Sequence, residues 1–154
     1  MHERMTRLWF LIVPLIGLLA AAVACGSAET DQDVTGTSPA ALGQRVEIDG
    51  GSYVSITPQE LQSMLSDDDF LFVNVYAGDG GEIEGTDLSI PYDQLAGRLD
   101  ELPSQHDAGI VVYCRGGVSS VVAATTLVNA GYTNVWNLEG GMTAWEEAGY
   151  PLLR

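Results

Sequence analysis

The 154-residue chain contains no lysine, two histidines and two cysteines, and each scarcity removes a class of explanation. Cys25 and Cys114 lie far apart with no C-x-x-C pair between them. One chain can therefore build neither a disulfide framework nor a cysteine-ligated zinc site, and a thioredoxin-like dithiol is excluded for the same reason. Six arginines are the whole cationic complement against 21 carboxylates, giving a formal charge of -15. A surface of that sign repels nucleic acid and anionic lipid headgroups, so no nucleic-acid partner is expected. His106 stands in a polar Ser-Gln-His-Asp stretch, where a solvated loop residue explains it better than a general base. The carboxylates between positions 79 and 87 lack the spacing of a calcium loop, and no metal site is expected.

What is present divides the chain in three. Arg4 and Arg7 precede an uncharged apolar run, Leu8 to Ala24, at the short limit for crossing a bilayer. Residues 1–24 read as a secretory signal. The small residues Ala21-Ala22-Val23-Ala24 before Cys25, with Gly26 and Ser27 after it, resemble the lipobox of bacterial lipoproteins. That resemblance implies a diacylated Cys25 as the first mature residue and a domain held on the extracytoplasmic side of the cell membrane. A retained anchor and simple secretion are the other readings of the same segment. Residues 25–45, rich in Ser, Thr, Gly and acid and without periodicity, suit a flexible tether. A single domain is expected from Val46 to Arg154.

Within the domain, strand and helix signals alternate. Ser52 to Ile56 reads as a short strand, and Thr57-Pro58-Gln59-Glu60 opens a helix to about Leu65 with an N-cap, a first-turn proline and an acid. Phe70 to Tyr76 is apolar enough for a strand covered on both faces. A glycine-rich loop and a brief extended piece, Leu88 to Pro91, follow. Asp93 to Leu102 has leucines at helical spacing, 109 to 114 reads as the central strand, and Val118 to Gly131 as an apolar helix that demands burial. Val135 to Leu138 is a last strand, and Met142 to Ala148 a last helix. Trp136, Leu138, Met142 and Trp145 are assigned to the core. The alternation predicts a mostly parallel α/β sheet of about five strands with helices on both faces.

The stretch Ile110 to Ser120, I-V-V-Y-C-R-G-G-V-S-S, organises the rest. Cys114 ends a buried strand, where ligands bind in open α/β sheets, and faces loop amides and a helix N-terminus. Those positive dipole ends favour an anionic sulfur. Gly116 and Gly117 permit the positive φ and close approach of a backbone nest, Arg115 draws anions, and Ser119 and Ser120 add hydroxyl donors. The competing reading of Cys114 is a small buried apolar residue.

Together with A-G-Y-T-N-V-W-N-L-E-G-G-M-T-A-W-E-E-A-G-Y-P-L, the V-V-Y-C-R-G-G segment resembles the rhodanese family over about Tyr53 to Leu153. The resemblance implies a sulfurtransferase or persulfide carrier: Cys114 takes a sulfane sulfur from a small donor such as thiosulfate and passes it to a thiol or cyanide. The anion loop would be Arg115, Gly116, Gly117, Val118, Ser119 and Ser120, and no cofactor is implied. Some residues depart from the family. Val118 and Ser119 stand where many active members carry arginine, Asn74-Val75-Tyr76 replaces Asp-Val-Arg, and Glu82-Ile83-Glu84-Gly85 replaces His-Ile-Pro-Gly. These departures point away from thiosulfate as donor and leave open a non-catalytic module that binds a partner outside the membrane. A related phosphatase or arsenate reductase needs an arginine six residues after the cysteine, where this chain has Ser120.

Overall fold

The computed structural model describes residues 42–66 and 69–154. The expected leader, the lipidation residue Cys25 and the linker up to residue 41 lie outside the described residues. Among those described, no helix is long and apolar enough to cross a membrane.

Six strands form one sheet, one more than the sequence suggested: β1 (Gln44–Ile48), β2 (Gly51–Ile56), β3 (Leu71–Asn74), β4 (Leu88–Ser89), β5 (Ile110–Tyr113) and β6 (Val135–Leu138). Their order is β1-β2-β6-β5-β3-β4, parallel throughout except for the antiparallel β1–β2 hairpin. β1 is the added element, paired with the expected strand β2. The hairpin turns through Asp49 and Gly50, with Gly50 and Gly51 at positive φ, and begins two residues ahead of the expected domain start.

All four residues of β5, between β3 and β6, are buried, and their pleat supplies two cores. Ile110 and Val112 face one side together with Cys114, against Ala123, Ala124, Leu127 and Val128 of α2 (Val118–Asn129). Val111 and Tyr113 face the other, against Leu61 of α1 (Pro58–Met64) and Met142 and Trp145 of α3 (Gly141–Glu147). Helices thus cover both faces. Each such aliphatic side chain contributes about 1.5–3 kcal/mol by leaving water.

Local signals set the helix starts. Thr57 and Glu60 close a reciprocal capping box ahead of α1: the Glu60 N–H donates to Thr57 Oγ1 at 3.3 Å, and the Thr57 N–H to Glu60 Oε2 at 2.7 Å. Glu60 Oε1 also accepts from the Gly43 N–H at 2.9 Å, fastening the entry of β1 to the helix.

Two expectations are corrected. The helix expected from Asp93 to Leu102 is a pair of 3-10 turns, Leu95–Gly97 and Leu99–Glu101, broken at Arg98 with φ -127° and ψ 25°. Gly97 disfavours helix and Arg98 leaves helical geometry, yet Leu95 and Leu102 still reach the core. The apolar run of α2 is not buried along its length. Val118, Val121 and Val122 are 78%, 39% and 47% exposed, because a 3.6-residue period lets only one face of a helix meet the sheet.

Candidate functional site

β5 carries Cys114 to its carboxyl end, on the face covered by α2, and leaves the residue 2% exposed. The chain then turns through Arg115, Gly116 and Gly117 into the helix. Gly117 adopts φ 88° as the residue preceding α2, and no side chain of its own caps that helix. The sulfur of Cys114 fills the role. The Gly117 N–H donates to Sγ at 3.2 Å and the Ser120 N–H, third in the helix, at 3.3 Å. A sulfur thus sits where an N-cap oxygen would, at the positive end of the helix dipole.

Ser120 is wholly buried. Its Oγ accepts from the Cys114 thiol at 3.5 Å and donates to the Gly117 carbonyl at 3.1 Å, closing the loop on itself. Arg115 is exposed, and its Nη1 reaches toward Gly80, where an added Cβ would stand 3.1 Å away. It makes no hydrogen bond to the sulfur among the described residues. Of the two glycines expected at positive φ only Gly117 adopts it; Gly116 does not and is exposed with open space about it, while Ser119 is half-buried and Val118 projects into solvent. The expected nest thus holds the sulfur by two amides. The amides of Val118 and Ser119, in the first turn of α2, have no intrahelical acceptor.

Sequence reasoning missed what clamps the loop from outside. The start of α3 donates into it: Met142 N–H to the Cys114 carbonyl at 2.9 Å, Thr143 N–H to the Arg115 carbonyl at 2.9 Å, and Thr143 Oγ1 to the same carbonyl at 3.0 Å. The approach is so close that a Cβ on Gly141, which has φ 58°, would lie 2.1 Å from the Cys114 oxygen, and one on Gly117 would lie 3.0 Å from the Gly140 nitrogen. The Gly140-Gly141 pair was the available signal.

On the other side of the sheet, buried Tyr113 pins the segment that replaces His-Ile-Pro-Gly. Its hydroxyl accepts from the Ile83 N–H at 3.1 Å and lies 2.6 Å from Thr86 Oγ1, which itself donates to the Ile83 carbonyl. Burial pushes the Tyr113 phenol above its ordinary value against the lowering effect of these hydrogen bonds, so it remains a neutral donor. Asn74, in the position of the family aspartate, is buried and accepts from the Tyr76 N–H at 3.0 Å. At that end of β3 an open cleft of about 400 Å3 is lined by Asn74, Tyr76, Asp79, Glu82, Ser89 and Arg154, among others. His106 is exposed and stacks on Tyr132 with ring centres 4.8 Å apart, as a loop residue outside the site.

Known proteins are similar to this chain in sequence and fold. A sulfurtransferase from Allochromatium vinosum is 38% identical over 66 residues, 43% of this chain and 60% of that protein. Against a longer curated relative the chain spans 32% of its length. Among solved structures, a rhodanese-related protein from Thermoplasma volcanium superposes with a TM-score of 0.55 at 26% identity, covering 66% of this chain and 98% of that one. A protein from Rhodopseudomonas palustris described as a possible tyrosine phosphatase gives a TM-score of 0.56 at 27% identity, covering 65% and 84%. The Rhodanese-like domain model matches residues 57–148, from the cap of α1 through the sulfur-holding loop to the end of α3, and the chain belongs to that family.

Proposed function

We propose that the domain moves sulfane sulfur through a persulfide on Cys114. One observation carries the reading: Sγ accepts two backbone N–H groups at the head of a twelve-residue helix, an environment that favours a sulfur anion without a metal or cofactor. The similarity to a sulfurtransferase supports it. In the first half-reaction the Cys114 thiolate attacks the sulfane sulfur of a donor, and the bond between that sulfur and the rest of the donor breaks, its electron pair leaving with the departing group. The new outer sulfur is anionic and meets the free amides of the first turn of α2. In the second, a thiolate or cyanide attacks that outer sulfur, and Cys114 departs as thiolate. Ser120 and the α3 clamp position the loop, and Arg115 attracts anions at its rim.

The donor we infer is a polysulfide or organic persulfide rather than thiosulfate. Val118 and Ser119 offer no guanidinium to the sulfonate oxygens of thiosulfate, which a polysulfide or organic persulfide lacks, and the neighbouring cleft carries Asp79 and Glu82 beside Arg154. The phosphatase reading is disfavoured because buried Ser120 provides no bidentate cationic clamp for an oxyanion. We also propose, from the sequence pattern of residues 1–25, that a lipid on Cys25 tethers the domain outside the cell membrane.

Intact-mass spectrometry of the full chain carrying Cys25→Ser, which leaves Cys114 as the one thiol, tests the chemistry. Treatment with polysulfide should add one sulfur atom, about 32 Da, that cyanide removes and that Cys114→Ser lacks. Thiosulfate should load more slowly than polysulfide. A second reading, a non-catalytic binding module, draws on the 2% exposure of Cys114 and the absence of arginine at 118 to 120. No adduct from any donor would establish that reading in place of the first.

A further inference from the structure

A second cavity lies on the opposite face of the sheet from Cys114 and toward its opposite end. It has a volume of about 270 Å3, and its walls include Phe70, Phe72, Trp145, Gln62, Glu84 and Asp87. Phe70 immediately precedes β3, whereas Cys114 follows the parallel strand β5, and the aromatic residues belong to the α1/α3 core rather than the α2 core. The sulfur chemistry makes no use of it.

Its composition is specific. Half-buried Phe70 is the ring with surface to offer a ligand; Phe72 and Trp145, 1% and 3% exposed, close the floor beside it, and Glu84 and Asp87 are exposed. The rings of Phe70 and Phe72 stand at 81° with centres 6.1 Å apart, giving two aromatic walls at a near right angle. Asp87 spends Oδ2 on the Phe72 N–H at 2.8 Å, which fixes its carboxylate beside the rings, and among the described residues the other oxygen has no hydrogen-bond donor. The Trp145 indole N–H is spent on the Pro151 carbonyl at 2.9 Å, so the indole adds apolar surface and no free donor. No arginine lines the cavity among the described residues, in a chain of charge -15.

Aromatic walls under paired carboxylates recognise an organic cation. The rings desolvate it and attract it through their quadrupoles, and the carboxylates receive its N–H groups. The volume falls just below the usual range of small-molecule pockets, about 300–1,000 Å3, and suits a group the size of one side chain. We propose that this cavity binds a guanidinium or alkylammonium group on a short aliphatic stem. The binding site is separate from Cys114, so it can hold a cationic partner while the sulfur loop stays open. The same group is offered by a small molecule or by an arginine or lysine of a protein segment.

The test is NMR titration of the full chain, following the Trp145 indole N–H, assigned by its loss in Trp145→Phe. Ethylguanidinium should shift that resonance saturably, and N-ethylurea, its neutral isostere, should bind at least about tenfold more weakly. Glu84→Gln with Asp87→Asn should weaken ethylguanidinium by about three- to thirtyfold. Asn at 87 keeps an acceptor for the Phe72 N–H, and Glu84→Gln alone, at an exposed position, provides a variant that leaves the fold intact. A second arm compares acetyl-Gly-Arg-Gly-amide with its citrulline counterpart. Preference for the arginine peptide over ethylguanidinium assigns the cation to a protein segment, and equal binding assigns it to a small molecule. Equal affinity for guanidinium and urea, or no saturable shift in the wild-type chain, overturns the proposal.

Discussion

The two loops that leave the carboxyl ends of β5 and β3 are neighbours in the sheet, and they differ in what side chains add to their backbone contacts. After β5, the turn from Cys114 to Ser120 is shaped by backbone: Gly117 at positive φ, amides aimed at a sulfur, and carbonyls received by the start of α3. After β3, the segment from Asn74 to Ile90 has positive-φ glycines of its own, Gly81 and Gly85, and a backbone pairing of Glu82 with Leu153, but side chains fasten it as well: Asn74 on the Tyr76 N–H, Asp87 on the Phe72 N–H, Tyr113 on Ile83 and Thr86. A backbone-built site tolerates almost no added atom but is indifferent to which polar residues surround it. That accounts for a chain that keeps its cysteine cradle while the acid-arginine pair and the histidine of its family are gone. It also predicts that the two loops fail differently.

The largest effect should come from the backbone-built loop. Gly141→Ala places a methyl 2.1 Å from the Cys114 carbonyl oxygen at a φ of 58°. The positive φ alone costs about 1–2 kcal/mol. Because the obstructing atom is backbone, the loop must move as well, for a total of about 3 kcal/mol or more. Persulfide loading by polysulfide should fall about a hundredfold, since sub-ångström placement of the sulfur and its amides is lost. Gly116→Ala is the matched control: its Cβ meets nothing within 4 Å, and both stability and loading should stay near wild type. Urea unfolding and intact mass measure the pair, and equal damage from the two substitutions would remove the distinction drawn between the loops.

The side-chain-built loop should lose stability without losing chemistry. Tyr113→Phe deletes the hydroxyl that receives the buried Ile83 N–H and pairs with Thr86, leaving that donor unsatisfied. The expected cost is about 1–3 kcal/mol in urea unfolding, with sulfur loading of Cys114 unchanged at temperatures where the variant is folded. Loss of loading in step with stability would mean that the two loops act as one unit.

The same contrast explains what could be read from the residues. The β5 loop was legible because its determinants are consecutive: an apolar run, a cysteine, two glycines and an apolar helix. Thr57, Pro58 and Glu60 announced α1 for the same reason. What acts across long sequence separations was invisible, above all the donation from Met142 and Thr143 into the carbonyls of Cys114 and Arg115. Edge strand β1 was missed because only Val46 and Ile48 of its residues are even half-buried, which leaves too weak an alternation to mark a strand. The leucines from 95 to 102 carried a helical spacing that the chain meets with two 3-10 turns, since burial fixes where side chains point and not which helix takes them there.

The smallest expected effect concerns the capping box at the start of α1, whose residues Thr57 and Glu60 belong to neither loop and provide a baseline for both. The Thr57 N–H above all, then the Gly43 N–H and the Thr57 hydroxyl, hold the Glu60 carboxylate below its ordinary value of 4.5, with partial burial opposing them. A carboxylate whose folded value is depressed contributes stability that is complete above the unfolded value and is lost as pH falls through the folded one. Glu60→Gln keeps one acceptor of the capping box and loses the charge, so its cost at pH 7 should be about 0.5–1 kcal/mol. The gap between the two proteins in urea midpoint should narrow as pH falls below 4.5 and close once wild-type Glu60 is protonated. Sulfur loading should be unaffected at any pH where both are folded, because the box is built on the face of the sheet away from Cys114. A gap that persists in acid would assign the contribution of Glu60 to its packing rather than its charge, and α1 would then join the regions held by shape.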